Sequence, residues 1–139
     1  MLRAPCPISI GDMTTLSAVS IITAHMSRAL DFYTKLGLTV DSGGPNEDHS
    51  ELTSPGIRVL LDTEDIARAI DPGWIRPTGG PALSLAFECD SPAEVDATFA
   101  ALTSDGAGTV HAPWDAFWGQ RYAVIADPDG NPVDLFATL

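Results

Sequence analysis

The stretch Phe117-Trp118-Gly119-Gln120-Arg121-Tyr122-Ala123-Val124-Ile125-Ala126-Asp127-Pro128-Asp129-Gly130-Asn131-Pro132-Val133-Asp134-Leu135-Phe136, in the last quarter of the sequence, restricts the fold more than any other. It reads as two strands joined by a tight turn. Pro128 fixes one backbone torsion and Gly130 supplies a permissive one, while Asp127, Asp129 and Asn131 can bond the turn's own amides. A β-hairpin at the C-terminus excludes an all-helical chain and asks what the remaining residues pair with it.

The upstream pattern answers with the same order of elements twice. Val19, Ile21 and Thr23 alternate with Ala18, Ser20 and Ile22, predicting a strand. Ser27–Gly37 reads as a helix with Ala29, Leu30, Phe32, Tyr33 and Leu36 on its apolar face and Gly37 as its stop. Short strands follow over 38–42, 49–53 and 57–62. Residues 62–70 read as a short helix ended by Asp71-Pro72-Gly73. The order then restarts. A strand is predicted over 82–89. A helix follows from the Ser91 cap, with Pro92 in its first turn and Glu94 three after the cap, and stops near Gly106. Three more strands are expected over 109–112, 121–126 and 132–137. Ala18 aligns with Ser84 and Tyr33 with Phe99, at an offset of 66; Gly56 aligns with Gly130 and Leu60 with Asp134, at an offset of 74. The 8 extra residues fall in an expected loop around Pro113–Trp118. The expected fold is α+β: two βαβββ modules, residues 15–63 and 81–139, joined by a linker over 64–80 and preceded by an arm over 1–14. Together they form one curved mixed sheet around a cleft. Pro5, Pro7 and Gly11 keep the arm irregular.

A Trp-Gly pair, a strand, Asp-Pro-Asp-Gly-Asn and a last strand bearing an acidic residue, set on a doubled βαβββ plan, resemble the vicinal oxygen chelate superfamily. This is the superfamily of glyoxalase I, the extradiol dioxygenases and the bleomycin resistance proteins. The resemblance covers roughly residues 16–139. It implies a cleft that usually holds a divalent metal, with ligands drawn from the first and last strands of each module. In this chain those positions are Ala18, Leu60, Ser84 and Asp134. A catalytic metal needs about three imidazole or carboxylate ligands, and only Asp134 qualifies. No metal and no cofactor are expected, and the resemblance then points to the branch typified by bleomycin resistance proteins, which sequester drugs.

The cleft is then expected to be a binding pocket. Trp114 and Trp118 bracket the expected loop with Phe117; such aromatics bury themselves in a core, in a dimer contact or against a ligand. Phe136 and Ile125 are placed on the cleft side with Asp134 as apolar walls, and Phe32, Tyr33, Phe87 and Phe99 in the core. Arg58, Asp62, Glu88, Arg121 and Asp134 are placed toward the cleft. Ser84 or an arginine would stabilise Asp134 there. His49 begins a strand and lines the cleft or stays solvated, His111 lies on an outer strand, and His25 stands at the start of the first helix. Trp74 is a lid or an anchor of the linker. The expected binding residues are therefore Trp114, Trp118, Arg121, Asp134, Phe136, Ser84, Arg58 and His49, and the expected ligand is small, aromatic or cationic. The alternative is a glyoxalase-like lyase or isomerase using Asp134, Glu88 or His49 as general base.

Charge narrows the partners. Nineteen acids face 7 lysines and arginines, a formal net charge of -12 that repels nucleic acid and attracts cations. No apolar run approaches the ~20 residues of a bilayer span. Cys6 and Cys89 read as free thiols, which with the absence of a secretory leader pattern places the expected chain in the cytoplasm. A homodimer is expected from the resemblance, with the arm as a segment for exchange.

Overall fold

A computed structural model describes residues 14–139. The arm expected over 1–14 therefore lies outside the described residues, apart from Thr14.

The first half runs β1 (Ala18–Thr23), α1 (Met26–Lys35), β2 (Thr39–Ser42), β3 (His49–Ser54) and β4 (Ile57–Thr63). After α2 (Glu64–Ile70) and an irregular stretch, the second half runs β5 (Leu85–Glu88), α3 (Pro92–Ser104), β6 (Gly108–Ala116), β7 (Gln120–Ala126) and β8 (Pro132–Thr138). Each half makes one four-stranded sheet, ordered β1-β4-β3-β2 and β5-β8-β7-β6. The β1–β4 and β5–β8 pairs are parallel; the others are antiparallel. This is the duplicated α+β plan that the sequence pattern predicts.

Local chemistry sets the elements. Met26, Ala29, Leu30, Phe32 and Tyr33 form one buried stripe on α1, spaced at three and four residues, and Gly37 ends the helix at φ 99°. The cap expected for α3 is present: Ser91 Oγ accepts the Glu94 amide at 3.2 Å, and the Glu94 carboxylate accepts the Asp90 amide at 2.9 Å. Gly56 and Gly130, matched by the repeat, take φ values of 87° and 86° in the β3–β4 and β7–β8 turns. That conformation favours glycine.

One core joins the halves. The apolar face of α1, Val95 and Leu102 of α3, Leu52, Val59 and Leu61 of the first sheet, and Ala123, Ile125, Val133 and Leu135 of the second form a single buried cluster. Phe87 and Phe99 pack against it, and Cys89 lies in it as a free thiol. Helices α1 and α3 thus pack on one face of the sheets, and the alternate strand positions form the opposite, more open faces. Tyr33 stacks on Phe87 across the seam with ring centroids 6.5 Å apart. Its hydroxyl donates to Asp127 Oδ2 at 2.7 Å, and the Ala24 amide donates to Asp129 Oδ1 at 2.7 Å. The 127–131 turn of the second half is therefore fastened to the first.

Two expectations are corrected. The segment around Trp114 is not a loop: β6 runs nine residues to Ala116, and register shifts between Thr109 and His111 and between His111 and Trp114 absorb its irregular pattern. The extra length of the second half is thus strand, with only Phe117-Trp118-Gly119 as the connection to β7. Ile125 is fully buried on the helix side rather than lining the cleft.

Candidate functional site

Alternation along the strands decides what the open faces carry. In β8, Val133, Leu135 and Ala137 are buried against α3, so Asp134 and Phe136 point to the open face. In β7, buried Ala123 and Ile125 leave Gln120, Tyr122 and Val124 on that face. The antiparallel register then sets Tyr122 opposite Phe136 and Val124 opposite Asp134.

The result is an aromatic wall on the second sheet. Trp114 meets Tyr122 edge-on at 5.5 Å and Trp118 at 5.8 Å; Trp118 meets Tyr122 edge-on at 5.3 Å. Phe136 stacks beside Tyr122 at 6.2 Å, and the His111 ring lies 3.8 Å from that of Trp114. Edge-to-face contacts of this kind suit the ring quadrupoles. Trp118 Nε1 donates to Gln120 at 2.8 Å, which fixes the indole. At the wall's foot the Tyr122 hydroxyl donates to Asp134 Oδ2 at 2.5 Å, and Ser84 Oγ approaches the same oxygen at 3.5 Å. Burial first, then the bond to Asp134, pushes the Tyr122 hydroxyl up to about 12.

The first sheet carries a chain of charges on its open face. Ser20 Oγ donates to Asp62 Oδ2 at 2.8 Å. His49 Nδ1 lies 2.5 Å from Asp62 Oδ1, and its Nε2 lies 3.1 Å from Glu51 Oε2. Arg58 donates to Glu51 Oε1 at 2.5 Å and to Ser17 Oγ at 2.9 Å. The β3–β4 register pairs His49 with Asp62 directly. An imidazolium satisfies both carboxylates because it donates at both nitrogens. The Asp62 bond, then the Glu51 bond, accordingly raise the His49 pKa above its ordinary value. The charges are arranged positive, negative, positive, negative from Arg58 to Asp62.

Of the expected binding residues, Trp114, Trp118, Phe136, Asp134 and Ser84 meet on the second sheet, and His49 and Arg58 meet on the first. Arg121 does not join them. It lies on the helix face of β7, where Nε and Nη2 donate to Asp96 of α3 at 2.9 and 3.3 Å and Nη1 donates to Asp115 at 3.2 Å. A slip of one residue exchanges the faces of a strand. Reading β7 from Ile125 as cleft-facing places Arg121 on the cleft and hides Tyr122. Buried Ala123 is the signal that reverses it. Glu88 is exposed on β5, paired in register with Phe136. His25 caps α1 without a side-chain bond. Trp74 stands 5.3 Å from the Arg68 guanidinium, which covers one face of the ring. Glu51 is a member of the ionic chain that strand alternation alone does not single out.

The positions assigned to a metal by the resemblance do not form a ligand set. Ala18 and Leu60 carry no donor atom, and Asp134 already accepts from Tyr122. Among the described residues no group of three or more His, Cys, Asp or Glu side chains is arranged to hold a metal ion. The residues therefore do not fit the superfamily's catalytic metal. Among the described residues no helix is long and apolar enough to cross a membrane.

Comparison with known proteins agrees with this architecture. A family model described as Glyoxalase/Bleomycin resistance protein/Dioxygenase superfamily matches residues 15–135. An uncharacterized protein of Mycobacterium tuberculosis is 30% identical over 133 residues, covering 87% of this chain and 76% of that protein. A glyoxalase/bleomycin resistance protein/dioxygenase family enzyme from Burkholderia phytofirmans PsJN superposes with a TM-score of 0.82 at 20% identity, over 91% of this chain and 100% of the other. A glyoxalase/bleomycin resistance protein/dioxygenase from Nocardioides gives a TM-score of 0.72 at 25% identity, over 94% and 90%. The doubled βαβββ plan, its open faces and the family match together place this chain in the glyoxalase/bleomycin resistance protein/dioxygenase superfamily.

Proposed function

We propose that this chain is a metal-independent binding protein for a small, flat, aromatic ligand carrying positive charge, and that it acts by sequestration, as an antibiotic-resistance protein does. One observation carries the reading: a wall of Trp114, Trp118, Tyr122 and Phe136 stands directly over the Asp134 carboxylate. Aromatic faces give a flat ligand stacking area at small entropic cost, and a cation over them gains a further ~0.5–2 kcal/mol. The acidic chain steers such a ligand inward. Phe117 stands 97% exposed at the tip of the β6–β7 connection. In this reading it meets a second copy of the chain, and the protein works as a cytoplasmic homodimer.

The test is intrinsic tryptophan fluorescence and thermal shift against aromatic cationic antibiotics, with and without divalent metals. Saturable quenching with a rise in melting temperature, unchanged by chelator and lost in Trp114→Ala, is the expected result. No response across such a panel, or a response only with metal, overturns it.

The second reading is a glyoxalase-like lyase or isomerase, and His49 between Asp62 and Glu51 favours it. A proton-carrying imidazole on the open face is the equipment of general acid–base chemistry. Turnover of an α-hydroxythioester or hemithioacetal that is abolished by His49→Gln would establish it instead.

A further inference from the structure

A cavity of about 320 Å³ is walled by β1, by the start of β5 and by the stretch from Trp74 to Pro81. It continues the site already described. Ser20 and Ser84 of the open faces line it, and the Asp134 oxygen that Ser84 approaches is the one to which Tyr122 donates at the foot of the aromatic wall.

The two serines hold equivalent places in the repeat. Each lies two residues before the register partner of a carboxylate on the neighbouring strand: Ile22 pairs with Asp62, and Ala86 pairs with Asp134. Ser20 Oγ donates to Asp62 Oδ2 at 2.8 Å, and Ser84 Oγ is directed at Asp134 Oδ2 at 3.5 Å. A hydroxyl has one proton and two lone pairs, so each serine offers the cavity an acceptor and no donor. The carboxylate behind polarises the hydroxyl and strengthens that acceptor. Among the described residues lining the cavity Arg76 is the only cation, and its Nε and Nη2 are held by Glu64. The serine side of the cavity therefore calls for a ligand that donates.

We infer that Ser20 and Ser84 make the site selective for a cation that carries N–H groups: a primary ammonium whose hydrogens go to the two hydroxyl oxygens while its ring lies on the aromatic wall. This rests on the aromatic-cation reading proposed above and names the kind of cation. A quaternary ammonium has the same charge and no hydrogen to give. An aromatic wall without the serines sets the opposite order. The methylated cation is less strongly hydrated, loses less on leaving water and keeps its attraction to the ring faces. The direction of the preference thus reports on the serines, and its existence reports on the wall.

The experiment is isothermal titration calorimetry of the full chain with 2-naphthylmethylammonium and with its N,N,N-trimethyl counterpart, which share ring and charge. The primary ammonium is expected to bind at least ~10-fold more tightly, the equivalent of one charge-assisted hydrogen bond. Ser20→Val and Ser84→Val, both at exposed positions, put a methyl group where the hydroxyl stood and keep the carboxylate behind it covered. Each should shrink or reverse the preference. Trp114→Ala, which leaves both serines in place, should weaken both cations and preserve their order. Equal binding of the two cations, tighter binding of the methylated one, or a preference that survives both valine variants overturns the inference and leaves the aromatic wall standing. Binding of neither cation overturns the inference together with the reading on which it rests.

Discussion

Replacing Tyr33 by Phe removes one oxygen from the place where the two halves are fastened. Tyr33 is fully buried, Asp127 nearly so, and their bond is 2.7 Å. The phenyl ring remains, with its stacking on Phe87. Asp127 keeps three other donors: the Asp129 and Asn131 amides at 2.9 and 2.8 Å, and the Asn131 side chain at 2.9 Å. A hydrogen bond to a charged group contributes about 1.5–3 kcal/mol. The three remaining donors spare the carboxylate full exposure of its loss, so the lower part of that range, about 2 kcal/mol, is expected for Tyr33→Phe. For a chain of this length that corresponds to a fall of roughly 5–10 °C in melting temperature. Burial and the neighbouring Asp127 drive the Tyr33 hydroxyl far above the usual tyrosine range, so it stays a donor throughout the working pH range and the deficit does not vary with tyrosine ionisation. Urea unfolding followed by tryptophan fluorescence measures the loss, with an unchanged slope confirming that cooperativity survives. A loss below about 0.5 kcal/mol would refute the claim that this bond fastens the halves.

Three further outcomes are expected. Gly43→Ala should cost more than about 2 kcal/mol in denaturant unfolding, because a Cβ at φ 90° would meet the His49 carbonyl at 2.5 Å and Ser50 Cα at 2.6 Å, whereas Gly44→Ala, with open space around it, should be close to neutral. In Asp134→Asn the Tyr122 hydroxyl should titrate below its present value of about 12, toward the ordinary tyrosine range, as followed by phenolate absorbance; an unchanged midpoint would mean that burial alone sets it. His49 stabilises the folded chain as an imidazolium, so its contribution is complete below the unfolded pKa of ~6.5 and is lost as pH rises through the raised folded value. His49→Gln should flatten that decline in urea midpoints measured from pH 5.5 to 8.5, the ~1.5 units either side of neutrality where histidine titrates.

The repeat is legible in the letters because both halves impose the same backbone demands. Gly56 and Gly130 are glycines for the same torsional reason, and the Ser91-Pro92-Ala93-Glu94 start of α3 declares itself by capping chemistry. The aromatic wall is legible only in composition. Trp114 and Trp118 are conspicuous, but the two register shifts in β6 break the alternation from which a strand is read, so the segment looks like a loop. Arg121 fails for a related reason. Its alternation has two self-consistent phases, and the choice rests on which neighbours are buried, a property of the packed protein. The pairing of His49 with Asp62 depends on the β3–β4 register, which neither residue specifies, so the sequence offers two polar groups and no sign that they touch. Asp129 reads as a turn residue. Its burial under the stretch from Trp74 to Pro81 depends on a long-range approach that no local pattern encodes.

The Tyr33–Asp127 bond also has a meaning in time. The two residues are 94 positions apart, and the acceptor belongs to the last turn of the chain. During synthesis the first half emerges with a helix whose tyrosine hydroxyl faces the future seam, with no partner yet made. At about 5–20 residues per second, several seconds pass before the 127–131 turn leaves the ribosome and supplies it. Throughout that interval the nascent first half exposes the apolar seam that Phe87 will cover. The fastening of the halves is thus an event deferred to the end of translation, and a chain stalled in β7 would present that seam to whatever else is in the cell.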